Sequence, residues 1–372
     1  MAHGSERSRL TGFVGGAALP HAPQFFTLPP TEDAAQVQRV EAAMGKIGEG
    51  LRALEPDVVV IAANDHLENF MVDCVPPFTL HAGPSASGSF AGRKFAWPVA
   101  SDLSMQLVQY LQDEGFDPAF SLAGSISYEF AIPLTFCGFG PETTLLPIYV
   151  NSYIAPQPSS ERCYAFGQAL GRGMHALGKR AVIISSGGLS HYPGTERYSS
   201  PDVTTDEDLV DRIGAGNLRS IVAMDNAALD RTGNVEARSW AILAGALGER
   251  KPDETLVEMS WHHNYVLFGW TEDQANPEAT SEGFHYPPLR SDRLELTKAL
   301  YELRMTRDSR ERYLADASAY ASEFDLSAEE GTALEAMDED ELQRMGIHPL
   351  LVFICVLQLN LDRERQTHVP SA

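Results

Sequence analysis

The sequence predicts an α/β fold, in which a layered mixed β-sheet is flanked by helices and is followed by a small C-terminal all-helical domain. Three observations support this prediction. Four short apolar runs have the length of buried strands, longer stretches of helical periodicity separate them, and the pattern becomes purely helical from about residue 293. Strands that alternate with helices are typical of layered proteins with a largely buried sheet.

The four predicted strands are the apolar runs at residues 12–18, 57–63, 145–150 and 180–185. The predicted helices occupy residues 33–54, 101–113, 160–177 and 206–223. A later run, residues 256–270, is rich in β-branched and aromatic residues and is expected to add a final strand.

Residues 271–292 are rich in proline, glycine and acidic residues and have no periodicity, which predicts a linker. This linker separates a first domain, residues 1–270, from a helical domain, residues 293–372. Leucines at helical spacing and two capping boxes predict the helices of the second domain: Leu296, Leu300 and Leu303, Ser327 with Glu330, and Asp338 with Glu341.

Composition excludes several classes of partner. The formal net charge of −23 disfavours binding to nucleic acid or to an anionic membrane surface. No apolar run is long enough to span a membrane, and the N-terminal residues lack the apolar segment of a secretory signal. The four cysteines are scattered without a Cys-x-x-Cys pair, which disfavours a zinc ribbon or a disulfide framework. We therefore expect a cytoplasmic protein.

Three of the eleven histidines share one context, because His21, His66 and His191 each lie just beyond the carboxyl end of a predicted strand. Ligands of open α/β sheets bind at that edge, where loops converge on a rigid frame. A single histidine of this kind is more often structural. Three of them together indicate a shared site.

A metal site with two histidines needs an anionic ligand, and Glu236 is available in the first turn of a predicted apolar helix. A glutamate at that position also simply favours the helix dipole. Two histidines and one carboxylate are the ligand set of non-heme Fe(II) oxygenases. A zinc hydrolase can use the same ligands, and a non-enzymatic binding protein on the same fold is a further alternative.

Several motifs resemble those of a known family. The segments LPHAP (residues 19–23), NDH (64–66) and SGGLSH (186–191) resemble the three histidine signatures of the class III extradiol ring-cleaving dioxygenases. Asn234-Val235-Glu236 with Trp240 also resembles the catalytic β subunit of protocatechuate 4,5-dioxygenase. The C-terminal domain resembles the small α subunit of that enzyme, so the chain looks like a fusion of β and α subunits.

The resemblance implies specific roles. It implies that His21, His66 and Glu236 hold Fe(II), that His191 is the acid/base, and that O2 and a small aromatic molecule are the substrates. It also implies that the helical domain closes over the site as a lid. Because members of such families commonly associate, we expect a homo-oligomer, most simply a dimer.

Tyr128 departs from the family pattern, because it stands where the protocatechuate enzyme has a pocket histidine. The members that cleave 2-aminophenol are similar in having a tyrosine there. We therefore expect a nitrogen-containing ring of 2-aminophenol, aminohydroxybenzoate or 3-hydroxy-4-pyridone type, with a catechol, protocatechuate or gallate type as the alternative. Tyr128 is expected to donate a hydrogen bond to oxygen or to the second donor atom of the substrate, unless it only packs.

Four further residues are candidates for substrate contact. Asn64 and Asp65 adjoin His66, where they could orient it, although polar turn residues are common at such positions. His262 and Asn264 could line the pocket. Because His262 and His263 fall within a predicted strand, they should point to opposite faces, and at most one should reach the pocket.

Overall fold

A computed structural model describes residues 10–272 and 293–367 of the 372-residue chain. The chain divides into two compact units, Met1–Glu278 and Ala279–Ala372, and each has its own hydrophobic core. Most of the predicted linker lies outside the described residues. The predicted fold class is confirmed, since a large mixed sheet is flanked by helices and a helical region follows it.

The first unit contains an eight-stranded sheet and a two-stranded hairpin. The strands are β1 (Gly12–Leu19), β2 (Val58–Asn64), β3 (Phe78–His81), β4 (Ser85–Phe90), β5 (Arg93–Pro98), β6 (Ala119–Ser121), β7 (Leu145–Val150), β8 (Arg180–Ser186), β9 (Glu254–Met259) and β10 (Asn264–Trp270). The helices are α1 (Gln24–Thr27), α2 (Ala34–Ala53), α3 (Ser101–Asp113), α4 (Tyr128–Phe136), α5 (Ser160–Ala176), α6 (Val203–Gly214), α7 (Asn226–Thr232) and α8 (Ala237–Leu247), with a 3₁₀-helix at Leu218–Ala223.

The centre of the sheet is parallel. The strand order is β6-β3-β7-β2-β8-β1-β10-β9, and β7, β2, β8 and β1 run in the same direction. The strands β10 and β9 extend the β1 edge in antiparallel pairs, and β3 pairs antiparallel with β7. The four parallel strands are buried along their whole lengths, which explains why their sequences are continuous apolar runs. They are the four strands predicted from the sequence.

Helices cover both faces of the sheet. Because side chains alternate along a strand, Val60 of β2 packs in the core with α3, α5 and α8, whereas Ile61 packs in the core with α2 and α4. Helices packed on both faces hold the parallel strands in place. Because these strands run in the same direction, their carboxyl ends lie at one rigid edge of the sheet, where the loops of the site begin.

Two predicted elements differ in the structure. Residues 256–270 are not one strand but the antiparallel pair β9 and β10, because the Ser260 hydroxyl accepts the N–H groups of His262 and His263 and closes a turn. The predicted helix at 206–223 ends at Gly214, and a separate 3₁₀-helix follows. Gly216 adopts a φ of 97°, a conformation that favours glycine and interrupts the helix.

The second unit is helical in its described part. Its helices are α9 (Leu294–Met305), α10 (Arg307–Ala315), α11 (Ala317–Ala321), α12 (Ala328–Ala336), α13 (Glu339–Arg344) and α14 (Pro349–Thr367). The three leucines predicted at helical spacing are fully buried in its core. Ser327 and Glu330 form the predicted capping box, and the Asp338 side chain caps α13. Among the helices described in either unit, none has the length and apolarity that a membrane crossing requires.

Candidate metal centre

The strand ends bring the predicted residues together. His21 follows β1, His66 follows β2 and His191 follows β8, and these three strands are adjacent and parallel. Glu236 is the residue that precedes the first turn of α8, and its carboxylate caps no backbone group of that helix. It is completely buried and faces the three histidines.

One carboxylate oxygen is the centre of the cluster. Glu236 Oε1 lies 3.0 Å from His66 Nε2, 3.3 Å from His21 Nε2 and 3.6 Å from His191 Nε2. The Nε2 atoms of His21 and His66 are 3.4 Å apart. Four groups that are all able to bind a proton or a cation thus converge on one point.

His21, His66 and Glu236 fit a metal ion. Atoms bound to one ion at about 2.1 Å are separated by roughly 3.0–3.4 Å when the ligand angles are between octahedral and tetrahedral. The three separations among His21 Nε2, His66 Nε2 and Glu236 Oε1 fall within this range. In the part of the chain that the structure describes, these three residues are the group of potential ligands close enough to share an ion.

Hydrogen bonds set the tautomers of two histidines. The Ser186 hydroxyl donates to the Glu129 carbonyl, so it can only accept from His21 Nδ1, which lies 2.9 Å away. His191 Nδ1 lies 2.7 Å from the Leu189 carbonyl and must carry a hydrogen to bond to it. In both neutral rings the lone pair is therefore on Nε2, the atom that faces Glu236. This is the arrangement required of a metal ligand and of a general base.

The backbone fixes the second oxygen of Glu236. The Gly188 N–H donates to Glu236 Oε2 at 2.6 Å, which leaves Oε1 for the histidines. A side chain at position 188 would overlap the ring of His263, so this close approach requires glycine. His263 in turn stacks on His191, with 4.5 Å between ring centroids and 9° between ring planes.

The pKa values of Glu236 and the three histidines are shifted in different directions. Burial opposes ionisation of Glu236, but the surrounding histidines outweigh it and hold the pKa of the carboxyl well below its usual range. Burial likewise disfavours a charged His66 or His191, yet Glu236 outweighs it and raises the pKa of both. For His21, burial dominates and lowers the pKa. Glu236 therefore stays ionised, and His66 and His191 keep their protons to a higher pH than an ordinary histidine does.

Metal affinity should therefore depend on pH. A histidine must be neutral to bind an ion, and Glu236 raises the pKa of His66 above its ordinary value of about 6.5. Below that raised pKa the ion must displace a proton, so affinity should rise about tenfold per pH unit and level off above it. Anaerobic metal titrations between about pH 6 and pH 9, with proton release recorded, measure this. An affinity that is constant over the range would contradict the assignment of His66.

Two tyrosines flank His66. The ring centroid of Tyr128 lies 5.2 Å from that of His66 and 5.9 Å from that of His21. Burial and the negative charge of Glu236 raise the pKa of Tyr128, which keeps its hydroxyl protonated. Within the described residues this hydroxyl makes no hydrogen bond, so it is available to a bound molecule. The ring of Tyr153 also packs against His66, and its hydroxyl donates to Glu236 Oε1 at 2.5 Å.

Asn64 and Asp65 hold the backbone around His66. Asn64 is fully buried, donates to the Ser186 carbonyl at 3.1 Å and accepts from the Ser152 hydroxyl at 2.5 Å. It thereby ties together the ends of β2, β8 and β7. The Asp65 carboxylate accepts the N–H groups of Asn69 and Phe70, which shapes the loop after β2. These contacts support the alternative that Asn64 and Asp65 are polar turn residues. Their role in substrate binding stays a prediction.

The side chains of His262 and Asn264, two predicted substrate contacts, have partners outside the cluster of histidines and Glu236. His262 is buried against Glu32, with 3.3 Å between His262 Nε2 and Glu32 Oε2. Asn264 donates to the buried carboxylate of Asp206 at 2.5 Å. His262 and His263 both lie in the turn between β9 and β10, so the alternation expected of a strand does not apply. It is His263, not His262, that contacts His191.

Asp206 joins the loops of the site. Its carboxylate accepts from the Ser190 N–H and from the side-chain amides of Asn234 and Asn264, at 3.0 Å for Asn234. Burial raises its pKa to about 7, although these three donors oppose the shift. Because Ser190 precedes His191 and Asn234 precedes Glu236 by two residues, this one carboxylate fixes the base relative to the ligand. A lone aspartate at the start of a predicted helix carries no signal of this role.

A cavity of about 570 Å³ adjoins the cluster. His191 and Tyr153 form part of its wall, and Tyr192, Arg197 and Arg231 are among the other lining residues. Pockets for small ligands commonly have volumes of roughly 300–1,000 Å³. A monocyclic substrate can therefore be accommodated beside His191.

The fold and the cluster define an α/β protein with a candidate centre of two histidines and one carboxylate. A family model described as the catalytic LigB subunit of aromatic ring-opening dioxygenase matches residues 15–271. The chain belongs to this family. The match includes His21, His66, His191 and Glu236, and it agrees with the resemblance found in the sequence.

Individual relatives cover a smaller part of the chain. The 2,3-dihydroxyphenylpropionate/2,3-dihydroxicinnamic acid 1,2-dioxygenase of Klebsiella pneumoniae (strain 342) is 33% identical over 185 residues, which are 50% of this chain and 58% of the relative. The protein of the same name from Escherichia coli (strain K12 / DH10B) is 31% identical over 185 residues, with the same coverage. The chain thus spans little more than half the length of these relatives. An uncharacterized protein from Escherichia coli K12 of known crystal structure has a TM-score of 0.45 and 15% identity, over 69% of this chain and 100% of its own.

Proposed function

We propose that the protein is a non-heme Fe(II) extradiol dioxygenase, which cleaves an aromatic ring next to two adjacent donor groups and inserts both atoms of O2. The convergence of His21, His66 and Glu236 on one point, with the Nε2 atom of His191 beside them, is the observation that supports it most. Membership of a family of ring-opening dioxygenases supports the same reaction. A zinc hydrolase would use the same ligands but is not suggested by the family.

Each residue has a chemical task in this reaction. When bound, Fe(II) supplies a Lewis acid and a redox centre that lets an aromatic ring react with O2. His21, His66 and Glu236 would hold the ion, and Gly188 keeps one oxygen of Glu236 turned toward it. His191 accepts the second proton of the substrate at Nε2 and returns it as the ring opens, because its Nδ1–H is committed to the Leu189 carbonyl.

The proposed substrate is a ring that contains or carries nitrogen, of 2-aminophenol, aminohydroxybenzoate or 3-hydroxy-4-pyridone type. Tyr128 supports this, since its ring packs against both ligand histidines and its protonated hydroxyl has no partner among the described residues. The Tyr128 hydroxyl can donate a hydrogen bond to a metal-binding atom of the substrate. A histidine at this position could in addition exchange a proton with that atom. The alternative is a catechol-type ring, which is favoured by the names of the two relatives.

A metal-exchange experiment tests the function. The protein is stripped of metal, loaded anaerobically with Fe(II), Zn(II) or Mn(II), and supplied with O2 and a panel of aminophenols, hydroxypyridones and catechols. The proposal requires one O2 consumed per ring opened, with Fe(II) and not with Zn(II). Hydrolysis supported by Zn(II) without O2 uptake would favour the hydrolase instead.

Replacing Tyr128 by phenylalanine should separate the two substrate classes. The hydroxyl is lost but the ring still packs between Phe90 and His66. We expect kcat/KM to fall about tenfold for the preferred nitrogen-containing ring, as one net hydrogen bond to the substrate is lost. For catechol, kcat/KM should change less than about threefold. Steady-state kinetics with both substrates measure the ratio, and an unchanged ratio would remove Tyr128 from substrate selection.

Two proposals rest on sequence resemblance alone. We propose that the helical domain, residues 293–372, acts as a lid on the catalytic domain, residues 1–270, and that the protein forms a homodimer. Fluorescence quenching between labelled domains, with and without substrate, tests the first. Light scattering of the purified protein tests the second.

A further inference from the structure

Tyr153 occupies a position that the proposed ligand set does not explain. It lies three residues beyond β7, the fourth of the parallel strands, so its loop leaves the same sheet edge as those of the three histidines. Its hydroxyl is 2.5 Å from Glu236 Oε1 and 3.4 Å from His191 Nε2. Its ring lies 5.2 Å from that of His66. A single side chain therefore contacts two metal-ligand candidates and the base.

The contact with His191 completes the support of that ring. Leu189 holds Nδ1 through its carbonyl, and His263 covers one face of the ring. The Nε2 atom of His191 lies 3.6 Å from Glu236 Oε1. The Tyr153 hydroxyl lies 3.4 Å from the same Nε2 atom, and both residues form part of the cavity wall.

We propose that Tyr153 is a positioning residue: its hydroxyl donates to Glu236 Oε1, accepts from His191 Nε2 once that atom has taken a proton, and so holds the base at a fixed place relative to the metal ligands. The inference rests on the proposed function. Tyr153 makes no bond to the ion and transfers no proton of its own. Its effect is exerted through His191, so losing the hydroxyl should impair deprotonation of the substrate more than metal binding.

The variant Tyr153→Phe tests this, because it removes one oxygen and keeps the ring against His66. Tyr149→Phe is the matched control. Tyr149 lies on β7, and its hydroxyl donates to the Ser125 carbonyl at 2.8 Å, away from the cluster. Both variants and the wild type are loaded anaerobically with Fe(II). The measurements are Fe(II) affinity, kcat and KM for the best substrate of the panel, and the spectrum of bound 4-nitrocatechol, whose colour reports its ionisation.

For Tyr153→Phe we expect kcat to fall about tenfold, in the range found when groups that orient active-site ligands are removed. KM and Fe(II) affinity should stay within about threefold of the wild type. The fraction of bound 4-nitrocatechol that has lost both protons should fall as well, whereas Tyr149→Phe should match the wild type in every measurement.

Two results would overturn the inference. One is a Tyr153→Phe protein with unchanged kcat and unchanged 4-nitrocatechol spectrum. The other is a protein that loses Fe(II) affinity tenfold or more but ionises 4-nitrocatechol normally once saturated, since Tyr153 would then support Glu236 alone. The binding spectrum needs no turnover. If the wild type cleaves no ring in the panel, the proposed function fails while the role of Tyr153 is still decided by the spectrum.

Discussion

Replacing Glu236 by glutamine is expected to remove both metal binding and ring cleavage. Glutamine preserves the shape of the side chain but leaves a divalent ion between two neutral histidines, without its buried anionic partner. Removing one partner of a buried ion pair costs roughly 3–5 kcal/mol. That corresponds to about a hundredfold to a few thousandfold in metal affinity. Anaerobic titration with Fe(II) and metal analysis of the purified variant measure the loss.

The control for this variant is Glu32→Gln. Glu32 is a second buried carboxylate paired with a histidine, His262, and its side chain is only 2% exposed. It lies outside the cluster, so its loss should leave Fe(II) affinity unchanged. If Glu236→Gln kept metal within a few-fold of the wild type, the carboxylate would not be a ligand, and the assignment of all three ligands would have to be revised.

Replacing His191 by alanine should have the opposite pattern, in which metal stays bound and turnover falls. His191 Nε2 is further from Glu236 Oε1 than the Nε2 atoms of His21 and His66. Its removal should therefore leave the ligand set intact. Loss of a general acid/base typically lowers kcat about 10²- to 10⁴-fold. Single-turnover kinetics on protein verified to be Fe(II)-loaded measure the effect.

The variant His175→Ala is a suitable control, because His175 is an exposed residue of α5 whose ring nitrogen contacts only Thr11 among the described residues. It should behave as the wild type. Loss of iron from His191→Ala, instead of loss of turnover, would place His191 among the ligands. Near-normal turnover would mean that another group takes the substrate proton.

The sequence predicted the centre of the fold well because that part is buried on both faces. The parallel strands are unbroken apolar runs, and the histidines that follow them therefore stood out. The edge strand β6, its short neighbour β3 and the hairpin β4–β5 were not predicted. Their residues alternate between buried and exposed positions or span only three or four residues, and such patterns resemble loops.

The members of the site that went unpredicted act through tertiary contacts. Tyr153 follows a predicted strand, so its position at the strand end could have identified it, as it did the histidines. Asp206 could not be identified in this way, because its partners Ser190, Asn234 and Asn264 come from three separate segments. His263 was assigned to a strand, and only the turn made by Ser260 places it on His191.

Asn64 joins the ends of three strands through hydrogen bonds that involve no metal ion. This affects how the protein would recover from oxidation or loss of the proposed metal ion. His21, His191 and Glu236 are also held by hydrogen bonds to Ser186, Leu189 and Gly188, and these bonds do not involve the ion. If the proposed Fe(II) were oxidised or lost, these hydrogen bonds would still hold the candidate ligands in place for a new ion. We expect inactivated protein to recover with a reductant and fresh Fe(II) alone, without passing through an unfolded state or needing a chaperone.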